Sequence, residues 1–262
     1  MRVGFDRRDV RMATNLFRMM LRDRYLGSRL GLLWAVGSPA LMFATFTFVF
    51  GFVLKARLPG AETSLAYVSW LISGYGPWLA TSEGLATSTA SVSGNAGLIK
   101  NLPLKSELLP IAGALTGIVP LGMAIVFEFV LLAVRGSSPS WAWLALPFVT
   151  LVQFLLIAGM GLYLSAANVL IRDVALALPN AMLVLLFATP IFYSVSDVPR
   201  AMQMISEANP FYRISDAYRV LLVKGEMPGI VASGYSAALS LVVFGSGLSF
   251  FRRMRTHFDS HL

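Results

Sequence analysis

Six apolar stretches constrain this chain more than any other feature. They cover residues 32–54, 65–92, 108–134, 141–171, 175–192 and 229–251. A helix needs about 20 mainly apolar residues to cross a hydrocarbon core of ~30 Å, and each stretch meets or approaches that length. The first contains no charge. The second is interrupted by Gly74, Gly76, Pro77 and Gly84 and contains Glu83; the third contains Glu128. Arg172 and Asp173 alone divide the fourth from the fifth, which predicts a tight turn. Hydrocarbon offers no partner to backbone N–H and C=O groups, so such segments must be helical. Charged residues are 13% of the chain, too few to cover a water-facing surface. The expected class is an all-α polytopic membrane protein with six transmembrane helices. With no cysteine, disulfides, thiolate metal sites and cysteine nucleophiles are excluded.

An even number of spans puts both termini on one side, and the Lys/Arg bias of the loops says which side. Fourteen Lys and Arg fall on the side of the termini and seven on the other, which predicts cytoplasmic termini. Eight of the fourteen are arginines in residues 1–31. The net charge of +8 therefore speaks first for orientation, not for nucleic acid.

Three segments do not span. In residues 6–27, Val10, Ala13, Leu16, Phe17, Met20 and Leu21 recur at helical spacing among arginines. This predicts an amphipathic helix in the cytoplasmic interface. It is either a topology anchor or an Arg array that holds a phosphate group at the membrane surface. Residues 93–107 are polar, with a small apolar face at Leu98, Ile99 and Leu102 beside Lys100. They form either a connecting loop or a short helix that docks into a partner. Residues 194–228 are long for a loop and are punctuated by Pro199, Asn209–Pro210 and Pro228. Two short helices split at Asn209–Pro210 are expected on the outside, re-entering the outer leaflet beside a pathway.

Familiar catalytic chemistry is missing. No GxxxxGK[ST] motif is present to hold a nucleotide. The two histidines, His257 and His261, lie in the tail with no third metal ligand near in sequence. Glu83 and Glu128 are candidates as intramembrane carboxylates. Phe43, Phe46 and Phe50 share one face of the first span; Trp70 and Trp78 lie in the second, and Phe187, Phe192 and Tyr193 end the fifth. Such aromatics either pack or offer sugar rings a stacking surface that a polymer can slide past.

The order of these parts is distinctive, and local motifs add to it. Arg24-Tyr25-Leu26-Gly27-Ser28-Arg29-Leu30-Gly31-Leu32-Leu33-Trp34 is followed by Pro39. Asn95-Ala96-Gly97-Leu98-Ile99-Lys100-Asn101-Leu102-Pro103 precedes Leu109-Pro110. Arg172-Asp173, Thr189-Pro190-Ile191-Phe192-Tyr193, Val198-Pro199 and Asn209-Pro210-Phe211 complete the set. Along essentially its whole length the chain resembles the permease subunit of polysaccharide ABC transporters, an ABC-2 type family that exports O-antigen, teichoic acid and some capsular polymers.

That resemblance implies a homodimer with a channel between two six-helix subunits in the bacterial inner membrane. Two copies of a separate ATPase subunit would dock from the cytoplasm, carrying the ATP and Mg, with no cofactor on this chain. Residues 1–31 would form the interface helix and entrance turn, and 32–262 the transmembrane domain. A coupling helix at about 94–105 would use Gly97, Leu98, Lys100, Leu102 and Pro103. Related exporters often carry an aromatic where this chain has Leu102. Outer gate helices at about 197–223 would involve Pro199, Asn209 and Pro210. The cargo would be a glycan on undecaprenyl pyrophosphate, O-antigen first among the choices. Arg24, Arg29, Leu30 and Gly31 would lie at its entrance, and Phe43, Phe46, Phe50, Trp78, Phe187, Phe192 and Tyr193 would line the channel. The alternatives are an ABC-2 drug or lipid exporter and a teichoic acid or capsule exporter, which share this topology.

Overall fold

The computed structural model describes residues 6–56, 63–101, 104–136 and 138–260. Among these residues every regular element is a helix. The first, α1 (Arg7–Asp23), begins in a reciprocal cap: Asp6 accepts from the backbone N–H groups of Arg8 and Asp9, and Asp9 accepts from that of Asp6. Leu16 and Met20 are buried as the apolar pattern requires. Val10 departs from it. It lies exposed, while Asp9 takes the buried place one residue earlier because a lysine partner waits there. The chain then reverses through Gly27 and Gly31, at φ +85° and +50°, a left-handed backbone open to glycine at little cost.

Next, α2 (Leu33–Phe46) runs on into a π-helical stretch, Thr47–Val53, so the first apolar segment is one helix with widened final turns. The 28-residue α3 (Ser64–Ser91) follows. A single 3-10 turn leads to the short α4 (Ala96–Asn101). The third stretch is not one continuous helix. It divides into α5 (Leu108–Leu115) and α6 (Ile118–Val134), because Pro120 has no N–H for the Thr116 carbonyl and its ring crowds that turn. After a 3-10 turn, α7 (Leu146–Leu170) is followed directly by α8 (Asp173–Ala188), across the tight turn expected at Arg172 and Asp173. The fifth helix stops at Ala188 instead of running to Phe192: Pro190 pushes Thr189 into an extended conformation (φ −101°, ψ 133°). Two short helices, α9 (Arg200–Ala208) and α10 (Pro210–Arg219), part at Asn209. A π-helical turn and Gly225 then lead to α11 (Ile230–Met254).

Among the described residues, four helical segments are long and apolar enough to cross a membrane: Leu33–Val53, Leu108–Val134, Trp141–Leu170 and Ile230–Met254. The reason α3 is less apolar lies in its position. It packs against α5, α6, α7, α8 and α10 and buries Ser69, Ser73, Thr81, Ser88 and Thr89. A helix surrounded by protein needs small and hydrogen-bonding side chains for close approach more than it needs lipid-facing bulk. At one end of the bundle Leu16, Val92, Leu108, Phe251 and Phe258 form one cluster, which brings the two terminal segments together. Ala142, Ile214, Tyr218 and Leu221 pack at the opposite end.

Two backbones approach closely where α7 crosses α11. A Cβ on Gly159 would lie 2.6 Å from the Phe244 nitrogen, and one on Gly247 would lie 2.5 Å from the Gly159 oxygen. Gly159→Ala therefore forces two backbones apart and is expected to cost about 1–3 kcal/mol. Gly122→Ala meets nothing within 4 Å and serves as the control. Thermal unfolding midpoints in detergent check this: a fall for the first and none for the second.

Candidate functional site

The unwound residues after α8 set the geometry at the end opposite the termini. Buried carbonyls of Pro190 and Ile191 need donors, and Arg219 supplies them. Its Nη1 and Nη2 donate to those two oxygens at 2.9 and 2.6 Å, and its Nε donates to the Trp70 oxygen at 3.3 Å. The guanidinium also lies over the Trp70 ring, 3.9 Å from its centroid. Arg219 is 4% exposed. Gly74 makes the room: a Cβ there would lie 2.4 Å from Nη2. Asn209 ties the same segment to the helix pair. Its Nδ2 donates to Thr189 Oγ1 at 3.0 Å, while its Oδ1 accepts from the Phe211 backbone at 2.9 Å and caps α10. The Tyr67 hydroxyl donates to the Phe192 oxygen at 3.1 Å. The Thr189–Tyr193 and Asn209–Phe211 motifs are thus one joined structure.

Deeper in the bundle, Gln153 links three helices. It donates to the Pro77 oxygen at 2.7 Å and accepts from the Tyr218 hydroxyl at 2.9 Å. Thr81 and Thr150 complete this network across α3, α7 and α10. Glu128 is fully buried and takes a hydrogen bond from the Ser69 hydroxyl. Its other carboxyl oxygen has no partner among the described residues.

Four of the seven candidate channel aromatics meet in a string. Phe50 touches Phe46, Phe46 touches Phe192, and Phe192 touches Phe187, with ring centroids 6.0–6.1 Å apart. Tyr75 joins from α3, 5.0 Å from Phe46. The string runs from the core to Phe187, which is 62% exposed. Tyr193 donates its hydroxyl to the Phe187 oxygen at 2.9 Å. Phe43 and Trp78 stand apart: each is packed inside the subunit, Phe43 against Phe127 and Trp78 against Phe211. At 0% and 4% exposure neither offers a surface to a channel in this conformation.

At the end with the termini, polar contacts fasten both flanks of α4. Asn168 donates to Ser93 Oγ at 2.9 Å and accepts from the Ala175 backbone at 3.0 Å. Lys105 donates to Asp9 of α1 at 2.6 Å. Buried Glu107 pairs with Arg252 at 3.1 Å and with Arg255 at 3.8 Å. Within α4, Lys100 is exposed, while Leu98 and Ile99 lean on the cluster around Leu16. A Cβ on Gly97 would meet nothing within 4 Å. Leu102 and Pro103 lie outside the described residues, as does His261. Among the described residues no group of His, Asp and Glu could hold a metal ion.

The turn after α1 borders a cavity of about 210 Å³, lined by Arg24, Tyr25, Ser38, Glu83, Thr116 and several apolar side chains. Arg24 and Glu83 form an ion pair across it. Leu30 and Arg29 are exposed on the turn beside Gly31 and do not line the cavity.

The match to the ABC-2 type transporter family runs from residue 12 to residue 223, from within α1 to the π-helical turn after α10. The chain belongs to that family. It is similar to the O-antigen export system permease protein RfbA of Klebsiella pneumoniae, 26% identical over 240 residues that cover 91% of this chain and 90% of that protein. It is also similar to RfbA of Myxococcus xanthus, 24% identical over 93% of this chain and 92% of that one. The polysialic acid transport protein KpsM of Escherichia coli is 24% identical over 96% of each chain. An ABC-2 permease is a multi-pass membrane subunit, typically not catalytic itself, that associates with an ABC ATPase.

Within this ABC-2 permease, sequence reasoning missed Arg219, Gln153 and Glu107. Arg219 counted only as one more loop charge. A lone arginine opening the apolar run Val220–Val223 was the available signal, paired with the proline break at Pro190. Nothing in the spacing of Gln153 or Glu107 marks their partners, which lie 65 or more residues away.

Two outcomes follow from these contacts. Gly74→Ala disturbs the Arg219 guanidinium and is expected to lower transport in the otherwise native permease. In an Arg219→Ala background it fills vacated space and costs little; equal losses in both backgrounds would break the proposed link. Arg219→Ala by itself leaves buried carbonyls unpaired, at about 1–3 kcal/mol each. The second outcome concerns pH. The hydrogen bond from Lys105, with help from the Asp6 backbone, holds the Asp9 carboxyl below the usual carboxylate range. A lowered folded value stabilises above the unfolded one and is lost as pH falls through the folded value. Hydrogen exchange in α1 is thus expected to stay flat from about pH 8 to pH 5, after correction for intrinsic rates, and to rise in stronger acid. Asp9→Asn is expected to raise it at neutral pH.

Proposed function

We propose that this chain is the membrane-spanning permease of an ATP-driven exporter that moves undecaprenyl-pyrophosphate-linked polysaccharide, O-antigen first, out of the cytoplasm. One observation carries this reading: similarity over 91–93% of the chain to permeases named for O-antigen export. Capsule export is the second reading, favoured by the similarity to polysialic acid transport proteins over 96% of the chain. Both readings share a long lipid-anchored polymer and differ in the sugar.

In this reading α3 and α8 join the four most apolar segments as the remaining crossings, giving six. The Lys/Arg bias supports cytoplasmic termini in the bacterial inner membrane. Two copies of the permease form the channel, and two ATPase subunits bearing ATP and Mg dock on the cytoplasmic side. α4 is the coupling helix, with Gly97, Leu98 and Lys100 at the contact and Leu102 and Pro103 following. The groove of about 420 Å³ beside it, lined by Arg8, Arg11, Met12, Leu16, Leu98 and Leu104, extends the docking surface. The contacts of Ser93, Lys105 and Glu107 give a docked ATPase a grip on α1, α7 and α11 together.

At the entrance, Arg24 and Arg29 receive the pyrophosphate, since guanidinium matches phosphate oxygens in paired hydrogen bonds. Leu30 and Gly31 shape the turn. Phe46, Phe50, Phe187, Phe192 and Tyr193 give sugar rings an apolar surface once the dimer opens. Phe43 and Trp78 back that surface from inside. α9 and α10 form the outer gate, hinged at Pro199 and at Asn209–Pro210, with Arg219 as its inner anchor.

Co-purification tests the partner and substrate together. The native permease is expected to retain its ATPase, and undecaprenyl pyrophosphate bearing the glycan is expected to raise ATP hydrolysis. Lys100→Glu is expected to weaken the complex by about tenfold or less, the scale of one exposed charge contact. A complex that holds equally well removes α4 from the interface. A complex with no response to the lipid-linked glycan removes the substrate assignment.

A further inference from the structure

The ion pair between Arg24 and Glu83 joins two parts of the chain that the exporter reading treats differently. Arg24 caps the end of α1, at the expected entrance; Glu83 sits on α3, within its membrane stretch. The Arg24 side chain is 48% exposed and the Glu83 side chain 19% exposed. Both border the same 210 Å³ cavity, with Ser38 and Thr116 hydroxyls and Tyr25 around it. A carboxylate at membrane depth is costly without a partner, so Glu83 depends on this guanidinium.

We infer that Glu83 is an internal stand-in for the phosphate of the lipid-linked substrate, occupying Arg24 until a lipid phosphate or pyrophosphate displaces it. The inference rests on the exporter reading and adds the regulation of its entrance. Carboxylate and phosphate offer guanidinium the same paired oxygens, so the two compete for one set of donors. A dianionic pyrophosphate group brings more charge and more acceptors than one carboxylate, and it gains as the cavity excludes water. The exchange also has a mechanical consequence. Eight residues of helix, about 12 Å, separate Glu83 from the end of α3 at Ser91. The 3-10 turn that Asn168 grips, and then α4, follow at once. Release of Glu83 therefore acts on the helix that leads to the coupling segment, and an empty entrance holds that helix to α1.

The test uses the permease–ATPase complex in phosphatidylcholine nanodiscs, titrated with undecaprenyl pyrophosphate while ATP hydrolysis is read. Inorganic pyrophosphate and phosphatidylglycerol are the comparison ligands. Glu83→Gln removes the competitor. It is expected to raise hydrolysis without ligand and to lower the half-saturating lipid concentration about two- to fivefold, the scale of a partly exposed ion pair. Arg24→Gln is expected to lose the lipid response. Should Glu83→Gln assemble poorly, the exchange Arg24→Glu with Glu83→Arg restores a pair, and the complex is expected to assemble yet respond weakly to lipid. An unshifted half-saturation in Glu83→Gln, with the native complex still responding, overturns the stand-in and leaves the exporter reading intact. A full response to inorganic pyrophosphate or to phosphatidylglycerol overturns the assignment to the polyprenyl substrate. If the native complex ignores undecaprenyl pyrophosphate but responds to the glycan-bearing lipid, the stand-in fails alone; if it ignores both, the exporter reading fails with it.

Discussion

A protein interior supplies no water to satisfy an unwound backbone, and of the six unwound residues between α8 and the 3-10 turn at Val195 the first three are buried. That constraint shapes the whole end of the bundle opposite the termini. Pro190 stops the helix, and the carbonyls so freed must find donors in the protein. Arg219 at one end of α10, Asn209 capping its other end and Tyr67 of α3 provide contacts to this segment. Arg219 can reach only because Gly74 has no side chain. A short pair of helices that would otherwise be a surface loop is in this way bound into the core.

The same central helix carries the effects elsewhere. α3 meets Arg219 at Trp70 and Gly74, Gln153 at Pro77, and Arg24 at Glu83. Beyond Ser91 it passes into the segment fastened to α7, α1 and α11 by Asn168, Lys105 and Glu107. Features that weaken α3 as an apolar span make it fit for this place. Its glycines allow close approach, and its serines and threonines donate to backbone carbonyls or, at Ser69, to the Glu128 carboxylate.

Much of this was legible beforehand, for physical reasons. Apolar length marks a crossing whatever it packs against, and Asn209–Pro210 carries its own break and its own cap. The spacing of Leu16 and Met20 fixed one face of α1. Less was legible where two distant residues decide the outcome. Asp9 displaces Val10 from the buried face because of Lys105, 96 residues away. Ile191 and Phe192 read as span residues because a hydropathy window does not weigh the proline before them. Arg24 and Glu83 each looked like separate candidates, one for phosphate and one for an intramembrane role, and their pairing joins the two questions. Arg219 had a signal, its place at the head of the apolar run Val220–Val223, but the carbonyls it serves lie 28 and 29 residues away and are freed only by the break at Pro190.

The central claim is that this ABC-2 permease moves a lipid-anchored glycan across the membrane. Vectorial transport in proteoliposomes tests it most directly. The permease and its ATPase are reconstituted with undecaprenyl-pyrophosphate-linked O-antigen, and the glycan is followed on the far side with a membrane-impermeant lectin. The account predicts lectin-accessible glycan that grows only with hydrolysable ATP. Glycan that stays sealed on its original side, while ATP is hydrolysed and the complex is intact, would contradict it.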